Sequence, residues 1–197
     1  MAVLAEQGTV TAICAAVAVP SFLSVMGQHH THWPASRYFE EVKGMEAVFA
    51  DSSCIHAWMQ LVRKVSWNFP GLETEACIME HEQTVLKFMG KRQALCVQSR
   101  GAIIGALLFS RSRNMICFLA VDPDYRKQGV ASILMSKALD ELDRARPITV
   151  STFREDDEKG MAPRALYRKF GFQEGELTEE FGYPNQVFVL QPASPED

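Results

Sequence analysis

The residues best suited to chemistry form a short, basic, glycine-containing stretch, Arg126-Lys127-Gln128-Gly129-Val130-Ala131. Gly129 and Ala131 have little or no side chain, so a ligand can approach the backbone closely, and Arg126 and Lys127 add positive charge. If a helix begins here, its first backbone N–H groups lack partners and its dipole is positive at this end. Such a site is suited to a diphosphate. The alternative is an ordinary strand-to-helix turn with solvated basic residues.

The elements on either side are those that a phosphate-binding turn requires. Met115–Val121 is an unbroken apolar run of seven residues, which predicts a strand covered on both faces. Asp122-Pro123-Asp124 ends this strand, because proline fixes φ and donates no hydrogen bond. From about Gly129 to Leu142, apolar residues recur at helical spacing and predict an amphipathic helix.

Length, charge and cysteine content indicate one cytoplasmic domain. The chain of 197 residues is long enough for a full core, and its apolar content of 47% is ordinary for a globular protein. The net charge of −4 argues against a broad nucleic-acid-binding surface. The five cysteines are odd in number and form no C-x-x-C pair, which indicates reduced thiols.

Residues 1–37 are interpreted as an N-terminal extension of unclear role. Within them, Val10–Met26 is almost wholly apolar or small, but its 17 residues are short for a bilayer span of about 20 and include Pro20. A secretory signal would require a basic residue before this segment, and there is none. We therefore expect an extra packed element or a poorly ordered leader; a membrane-associated segment and a natural start at Met26 are the alternatives.

Three histidines, His29, His30 and His32, follow this segment. A metal site needs fixed geometry and usually a carboxylate or thiolate partner, and none is close in sequence. We therefore expect a solvated loop and no metal.

Hydrophobic periodicity predicts the remaining elements. Helices are expected at Tyr38–Asp51, Ile55–Trp67, Leu72–Met89 and Pro163–Phe170. Strands are expected at Ala94–Ser99, Ala102–Ser110, Ile148–Phe153, Phe172–Glu176 and Gln186–Leu190, with residues 179–184 joining the last two. The three strands before the basic stretch are joined by short turns and should be antiparallel neighbours, whereas Ile148–Phe153 should lie parallel to Met115–Val121 through a right-handed crossover. Gly105 inside its strand indicates a bulge or a close backbone approach.

Two separated blocks resemble those of the GNAT superfamily of N-acetyltransferases. Residues 119–131, LAVDPDYRKQGVA, are similar to its acyl-CoA-binding motif, whose pattern is Gln/Arg-x-x-Gly-x-Gly/Ala after a strand. Thirty-six residues beyond Ala131, Tyr167 lies in ALYRKFGF, which resembles the second block, L-Y-x-x-x-G-F. The resemblance covers about Ala94–Leu190, and the helices before it fit the variable acceptor-side region. The usual first strand of the family is not assigned.

The resemblance implies an α/β (α+β) fold of the GNAT type. Its sheet would be mixed and mainly antiparallel, with six to seven strands splayed between two parallel central strands and flanked by helices. The domain would occupy residues 38–192, followed by a polar tail at 193–197.

The resemblance also implies roles for individual residues. Backbone groups along Leu119, Ala120 and Val121 would bind the pantetheine arm of acetyl-CoA, the cosubstrate. Backbone N–H groups of Arg126, Lys127, Gln128, Gly129, Val130 and Ala131 would bind its diphosphate. Tyr167 would be the general acid that protonates the leaving CoA thiolate, because a phenol with a pKa of about 10 can exchange a proton with a thiol of about 8.5.

The sequence departs from the family pattern in two places. Gly160 stands where many members have an asparagine that contacts CoA, and Arg164 could reach the cofactor instead or lie at the surface. Met115–Val121 contains no carboxylate, so the base that deprotonates the acceptor must come from elsewhere. The candidates are Glu80, His81, Glu82, Glu179, Glu180 and water, and Ser151 and Thr152 are expected to line the acceptor cleft.

The predicted activity is therefore transfer of an acetyl group to a primary amine, on a small molecule or peptide, by direct attack in a ternary complex. The acidic pair at positions 179 and 180 could attract a cationic amine. A non-catalytic acyl-CoA-binding or sensor module on the same fold is the alternative. The sequence is compatible with a homodimer.

Overall fold

The structure, a computed structural model, describes residues 44–192. The predictions for residues 1–43 and 193–197, including the apolar segment, the histidine cluster and the polar tail, lie outside this range. The described strands are β1 Ala47–Phe49, β2 Ala94–Ser99, β3 Ala102–Ser110, β4 Met115–Val121, β5 Ile148–Phe153, β6 Gln173–Glu180 and β7 Tyr183–Leu190. The α-helices are α1 Ile55–Val65, α2 Glu75–Gly90, α3 Val130–Asp140 and α4 Met161–Lys169.

The strands form one seven-stranded sheet in the order β1-β2-β3-β4-β5-β7-β6. β4 and β5 pair in parallel, and the other neighbouring strands pair antiparallel. The predicted hairpin, the antiparallel trio β2–β4 and the parallel crossover to β5 are confirmed. The predicted fold class, a mixed and mainly antiparallel sheet with two parallel central strands, is confirmed as well.

Helices cover both faces of the sheet, which explains why the central strands are nearly continuous apolar runs. One buried cluster joins α1 and α2 to the first face, with Trp58 and Val85 packed near Phe118. The second joins α3 and α4 to the opposite face, with Leu134 and Tyr167. Within residues 44–192, none of the helices combines the length and apolarity needed to cross a membrane.

The helix predicted at Tyr38–Asp51 is wrong within the described residues, because Ala47–Phe49 is a strand that pairs antiparallel with β2. Ala47 is buried in the cluster below α3 and Phe49 packs against it, whereas Val48 between them is 41% exposed. This alternation has the period of a strand, and it places β1 at the edge of the sheet.

The last two strands are longer than predicted. Glu180 pairs with Tyr183, so the expected loop at 179–184 reduces to a two-residue turn, Phe181-Gly182. Both turn residues have positive φ, which matches the twist of a tight hairpin. Pro184 lies before the first pairing of β7 with β5, so its missing N–H costs the sheet nothing there.

Candidate active site in the split between two parallel strands

The central strands β4 and β5 part almost at once. Met115 and Thr149 are the pair that joins them. The cause lies on the other side of β4, where Leu108 of β3 pairs with Phe118 but the next residue of β3 pairs with Ile116. Cys117 is therefore an extra residue, a β-bulge, and a bulge bends its strand and increases its twist.

The bulge also reverses the direction of the backbone groups beyond it. Before it, the Asn114 carbonyl accepts a hydrogen bond from β5 at 3.2 Å, and after it the Asp122 N–H donates to β3 at 2.8 Å. In an uninterrupted strand the backbone groups of Asn114 and Asp122, which are an even number of residues apart, would point to the same side. Because N–H and C=O groups alternate along a strand, those of Leu119 and Val121 point into the split, while those of Ala120 face β3.

The closed end of the split is fixed by the side chain of Asn114, which is 2% exposed. Its amide nitrogen donates to the carbonyls of Asp143 (2.9 Å) and Pro147 (3.0 Å), and its oxygen accepts from the Asp143 N–H at 2.9 Å. These bonds connect the start of β4 to the loop between α3 and β5. The two strands therefore begin together and diverge only beyond the bulge.

The basic stretch lies where β4 leads into α3, as predicted. Lys127 and Gly129 have φ of +60° and +84°, and these left-handed residues turn the chain into the helix. The first intrahelical bond from the helix start is Ile133 N–H to the Gly129 carbonyl (3.0 Å), and no side chain of residues 44–192 caps this end. The N–H groups of Val130 and Ala131 precede this bond and can therefore bind an anion.

Gly105 explains how α3 comes so close to the sheet. A Cβ atom on Gly105 would overlap Val130 Cγ1 and lie 3.0 Å from Leu134 Cδ1. The predicted close approach is thus between β3 and the first turn of α3. It sets the position of the helix N-terminus relative to the open edge of β4.

Lys64 of α1 also lies at the site, and no pattern in the sequence indicates it. Its Nζ lies 2.7 Å from Asp122 and 2.7 Å from Asp124, the two acids that end β4, and these bonds raise its pKa. The ion pairs neutralise acidic charge directly beside the basic stretch. Burial lowers the pKa of Arg126 in that stretch, opposed by the same two aspartates.

Tyr167 is fully buried on α4, and its ring centroid lies 5.9 Å from that of Phe172 and 5.7 Å from that of Phe188. It belongs to the same buried cluster as Val121 and Val130. The structure therefore brings the second sequence block to the face of the sheet where β4 leads into α3.

The glycine at position 160, one of the two departures from the family pattern, has a structural cause. A Cβ atom on Gly160 would lie 2.7 Å from the Arg154 carbonyl oxygen, so an asparagine would not fit there without backbone movement. Arg164 is 2% exposed, which excludes the surface alternative. Its guanidinium donates to Gln186 Oε1 at 2.7 Å and pairs with Glu174 at 2.9 Å, so it connects α4 to the last hairpin.

The candidate bases lie in different surroundings. Glu80 and Glu179 are exposed, whereas His81 is buried and its ring lies 5.1 Å from that of Phe118. Burial lowers the pKa of His81 to about 4, so it is neutral near pH 7. Glu180 is partly buried, and burial raises its pKa.

The expected cleft residues face opposite sides. Ser151 and Phe153 are two residues apart on β5, so their side chains face the same side of the sheet. Phe153 packs in the cluster below α1 and α2, and Ser151 therefore faces that cluster. Thr152 is fully buried and faces α3 and α4. Of the two, only Ser151 can therefore line a cleft on the α1–α2 side.

A cavity of about 450 Å³ opens on the side of α1 and α2. Its walls include the aromatic residues Trp67, Phe69 and Tyr183 and the oppositely charged Glu73 and Lys159. The volume is in the range of small-molecule sites. Since this side is opposite to α3 and α4, a second substrate could enter from here without crossing the diphosphate site.

Known proteins share this fold. A family model described as an acetyltransferase (GNAT) domain matches residues 90–174. YncA from Salmonella typhimurium, whose structure contains its cofactor acetyl-CoA, is similar with a TM-score of 0.60 and 17% identity, over 78% of this chain and 97% of its own. PaiA N-acetyltransferase from Thermoplasma acidophilum, in complex with coenzyme A, gives 0.58 and 14%, over 75% and 99%. The ribosomal-protein-S18-alanine N-acetyltransferase from Escherichia coli gives 0.57 and 17%, over 77% and 97%. No curated protein matches the sequence.

The resemblance to the GNAT superfamily found in the sequence is therefore confirmed over residues 90–174, and the fold of the chain is that of GNAT acetyltransferases. The matched range, 90–174, includes both sequence blocks, the basic stretch and Tyr167. At these identities the solved structures share the fold with this chain.

Proposed function

We propose that the protein transfers an acetyl group from acetyl-CoA to a primary amine, which attacks the thioester directly in a ternary complex. The observation that carries the proposal is the junction of an open strand edge with an uncapped helix N-terminus. The bulge at Cys117 directs the backbone of Leu119 and Val121 into the split, and the strand leads directly to the first-turn N–H groups of α3.

Each part of this junction matches one part of acetyl-CoA. The pantetheine arm carries amide groups, which can pair with Leu119 and Val121 as an added strand would. The diphosphate is an anion and would bind the N–H groups from Arg126 to Ala131, with Gly129 allowing close approach. Apart from its chain neighbours, a Cβ atom on Gly129 would meet no atom of residues 44–192 within 4 Å, so there is space beside it.

Tyr167 would supply the proton that the CoA thiolate needs on departure. The acceptor amine would enter through the cavity beside Trp67 and Tyr183, on the opposite face. The two substrates would then meet in the split, where backbone N–H groups near Val121 can polarise the thioester carbonyl.

Calorimetric titration with acetyl-CoA tests the first half of this proposal, with Gly129→Ala and Gly129→Glu as a matched pair. Both variants impose a side chain on a left-handed residue, at a cost of about 1–2 kcal/mol. The glutamate adds negative charge where the diphosphate would bind, so Gly129→Glu should bind at least about tenfold more weakly than Gly129→Ala. Equal affinities would place the diphosphate elsewhere.

Thiol release from acetyl-CoA in the presence of a panel of amines tests the second half. Release with any amine would demonstrate the transferase and begin to identify the acceptor. Binding without release would favour the non-catalytic acyl-CoA sensor. No binding by the wild-type protein would overturn the proposed function.

A further inference from the structure

The tip of the β6–β7 hairpin is folded over the α1–α2 face of the sheet and held there at two points. The Phe181 ring packs on Gly71, where a Cβ atom would lie 2.8 Å from the ring. The Tyr183 hydroxyl donates to Asp157 at 2.5 Å, and its ring meets that of Phe153 edge-on at 5.3 Å. The hairpin tip therefore has a fixed position next to β5.

This position brings Glu180 to the point where β4 and β5 separate. The last parallel pair is Met115 with Thr149, and two residues further along each strand stand Cys117 and Ser151. The Ser151 hydroxyl donates a hydrogen bond to the Glu180 carboxylate, whose charge also acts on the Cys117 thiol. The carboxylate thus lies between the two strands at the apex of the split, on the side of the cavity.

The surroundings leave one oxygen of this carboxylate without a protein donor. Glu180 Oε2 is buried and accepts no hydrogen bond from any residue in the range 44–192. The titratable group opposite is the Cys117 thiol, which burial keeps neutral by raising its pKa to about 12. The charged groups on the neighbouring elements are Glu73, Asp157 and Lys159, which lie around Tyr183, and Arg113, whose charge acts on the Cys117 thiol. Burying a carboxylate oxygen without a donor costs free energy, and a donor group on a bound ligand would offset that cost.

We propose that Glu180 is the base that takes a proton from the ammonium group of the acceptor at the apex of the split. The inference rests on the proposed acetyltransferase function and assigns to this chain a residue that the function requires. Since the central strand has no carboxylate, the hairpin tip would supply it from outside the strand.

The proton balance follows from this assignment. Glu180 accepts one proton from the ammonium, and the neutral amine attacks the thioester carbonyl, forming the C–N bond. The C–S bond then breaks, and the second amine proton reaches the sulfur by way of Tyr167. Glu180 releases its proton to solvent, so one amide, one CoA thiol and one proton are formed for each acetyl group transferred.

Glu180 is better suited to this role than the other candidates. A general base works best when its pKa is near the working pH. Burial moves the pKa of Glu180 upward toward that range, whereas it moves that of His81 down to about 4. Glu80 and Glu179 are exposed and do not share the position between the strands.

The test compares Glu180→Gln with Glu176→Gln, which removes an exposed carboxylate from the same strand. With an amine from the panel that gives thiol release, Glu180→Gln should lower kcat by about 100-fold or more near pH 7, and Glu176→Gln should not. The rate of the Glu180→Gln enzyme should then rise about tenfold per pH unit, because it depends on amine already deprotonated in solution. Acetyl-CoA affinity should be equal in both variants.

Ser151→Ala provides a second measurement that does not remove the carboxylate. The hydrogen bond from Ser151 lowers the pKa of Glu180, so its loss should move the acidic limb of the pH–rate profile to higher pH. The inference would be overturned if the kcat of Glu180→Gln equalled that of Glu176→Gln, or if the rate of Glu180→Gln fell by the same factor at every pH. It would also be overturned if the acidic limb of the pH–rate profile stayed in place in Ser151→Ala. Absence of thiol release by the wild-type enzyme would instead refute the proposed function itself.

Discussion

Replacing Gly105 with alanine should displace the start of α3 and weaken acetyl-CoA binding without touching the ligand. The new Cβ would overlap Val130 Cγ1, in the first residue of the helix, and would lie 3.0 Å from Leu134 Cδ1. A shift of about 1 Å is needed to restore an ordinary carbon–carbon separation of about 3.5–4.0 Å. Both neighbours are buried, so they have little room to move apart.

Two effects of different size should follow. Overpacking a close-packed site costs about 1–3 kcal/mol, and for a protein of this length each kcal/mol lowers Tm by about 2–4 °C. A hydrogen bond to an anion has an optimum of about 2.7–2.9 Å, so a shift of about 1 Å breaks it. Losing one such bond is worth about 1.5–3 kcal/mol, which corresponds to roughly a 10- to 150-fold weaker Kd for acetyl-CoA.

The wild-type protein, Gly105→Ala, Val130→Ala and the double variant form a double-mutant cycle. Calorimetry measures the acetyl-CoA affinity of each, and thermal unfolding measures its stability. Val130→Ala removes the overlapping methyl group, so the double variant should recover much of the affinity lost in Gly105→Ala. Unchanged affinity in Gly105→Ala, or the same loss with and without Val130→Ala, would show that the contact between β3 and α3 does not set the diphosphate site.

Two further predictions concern buried titratable residues. Tyr167→Phe should lower kcat by about 100-fold or more while Kd for acetyl-CoA is nearly unchanged, and an unchanged rate would remove this tyrosine from the mechanism. The pKa of His81 falls from 6.5 to about 4 on folding, so between these pH values the unfolded chain binds a proton that the folded protein does not. The free energy of unfolding should therefore fall by about 3 kcal/mol as the pH falls through this window. Urea unfolding of His81→Leu should show a smaller decrease, and an equal decrease would assign the acid sensitivity to other groups.

The parts of the site that local sequence determines were predicted well. Met115–Val121 has the composition of a strand buried on both faces, and the turn that follows contains a proline and a glycine whose backbone requirements are specific. The strand, the turn and the helix therefore follow from neighbouring residues alone. The short helix that contains Tyr167 also follows from a local block of residues.

The parts that depend on distant contacts were not foreseen. Lys64 meets Asp122 and Asp124 across almost sixty residues of chain, and no periodicity indicates such a pairing. The position of Glu180 depends on how the last hairpin curls over the sheet, which is decided by Phe181 on Gly71. The short strand β1 was mistaken for helix because three residues give too little alternation to outweigh helical propensity.

The bulge at Cys117 makes β4 an edge strand in the interior of a sheet. Its first residue pairs with β5, but its last residues present N–H and C=O groups that no strand of residues 44–192 pairs on that side, and such groups invite another chain to pair and aggregate. A bound pantetheine arm would occupy these groups and protect them. At a ligand concentration of 100 times Kd, the folded state gains about 2.7 kcal/mol. Under the proposed function, the resistance of this protein to aggregation would therefore follow the supply of acetyl-CoA in the cell.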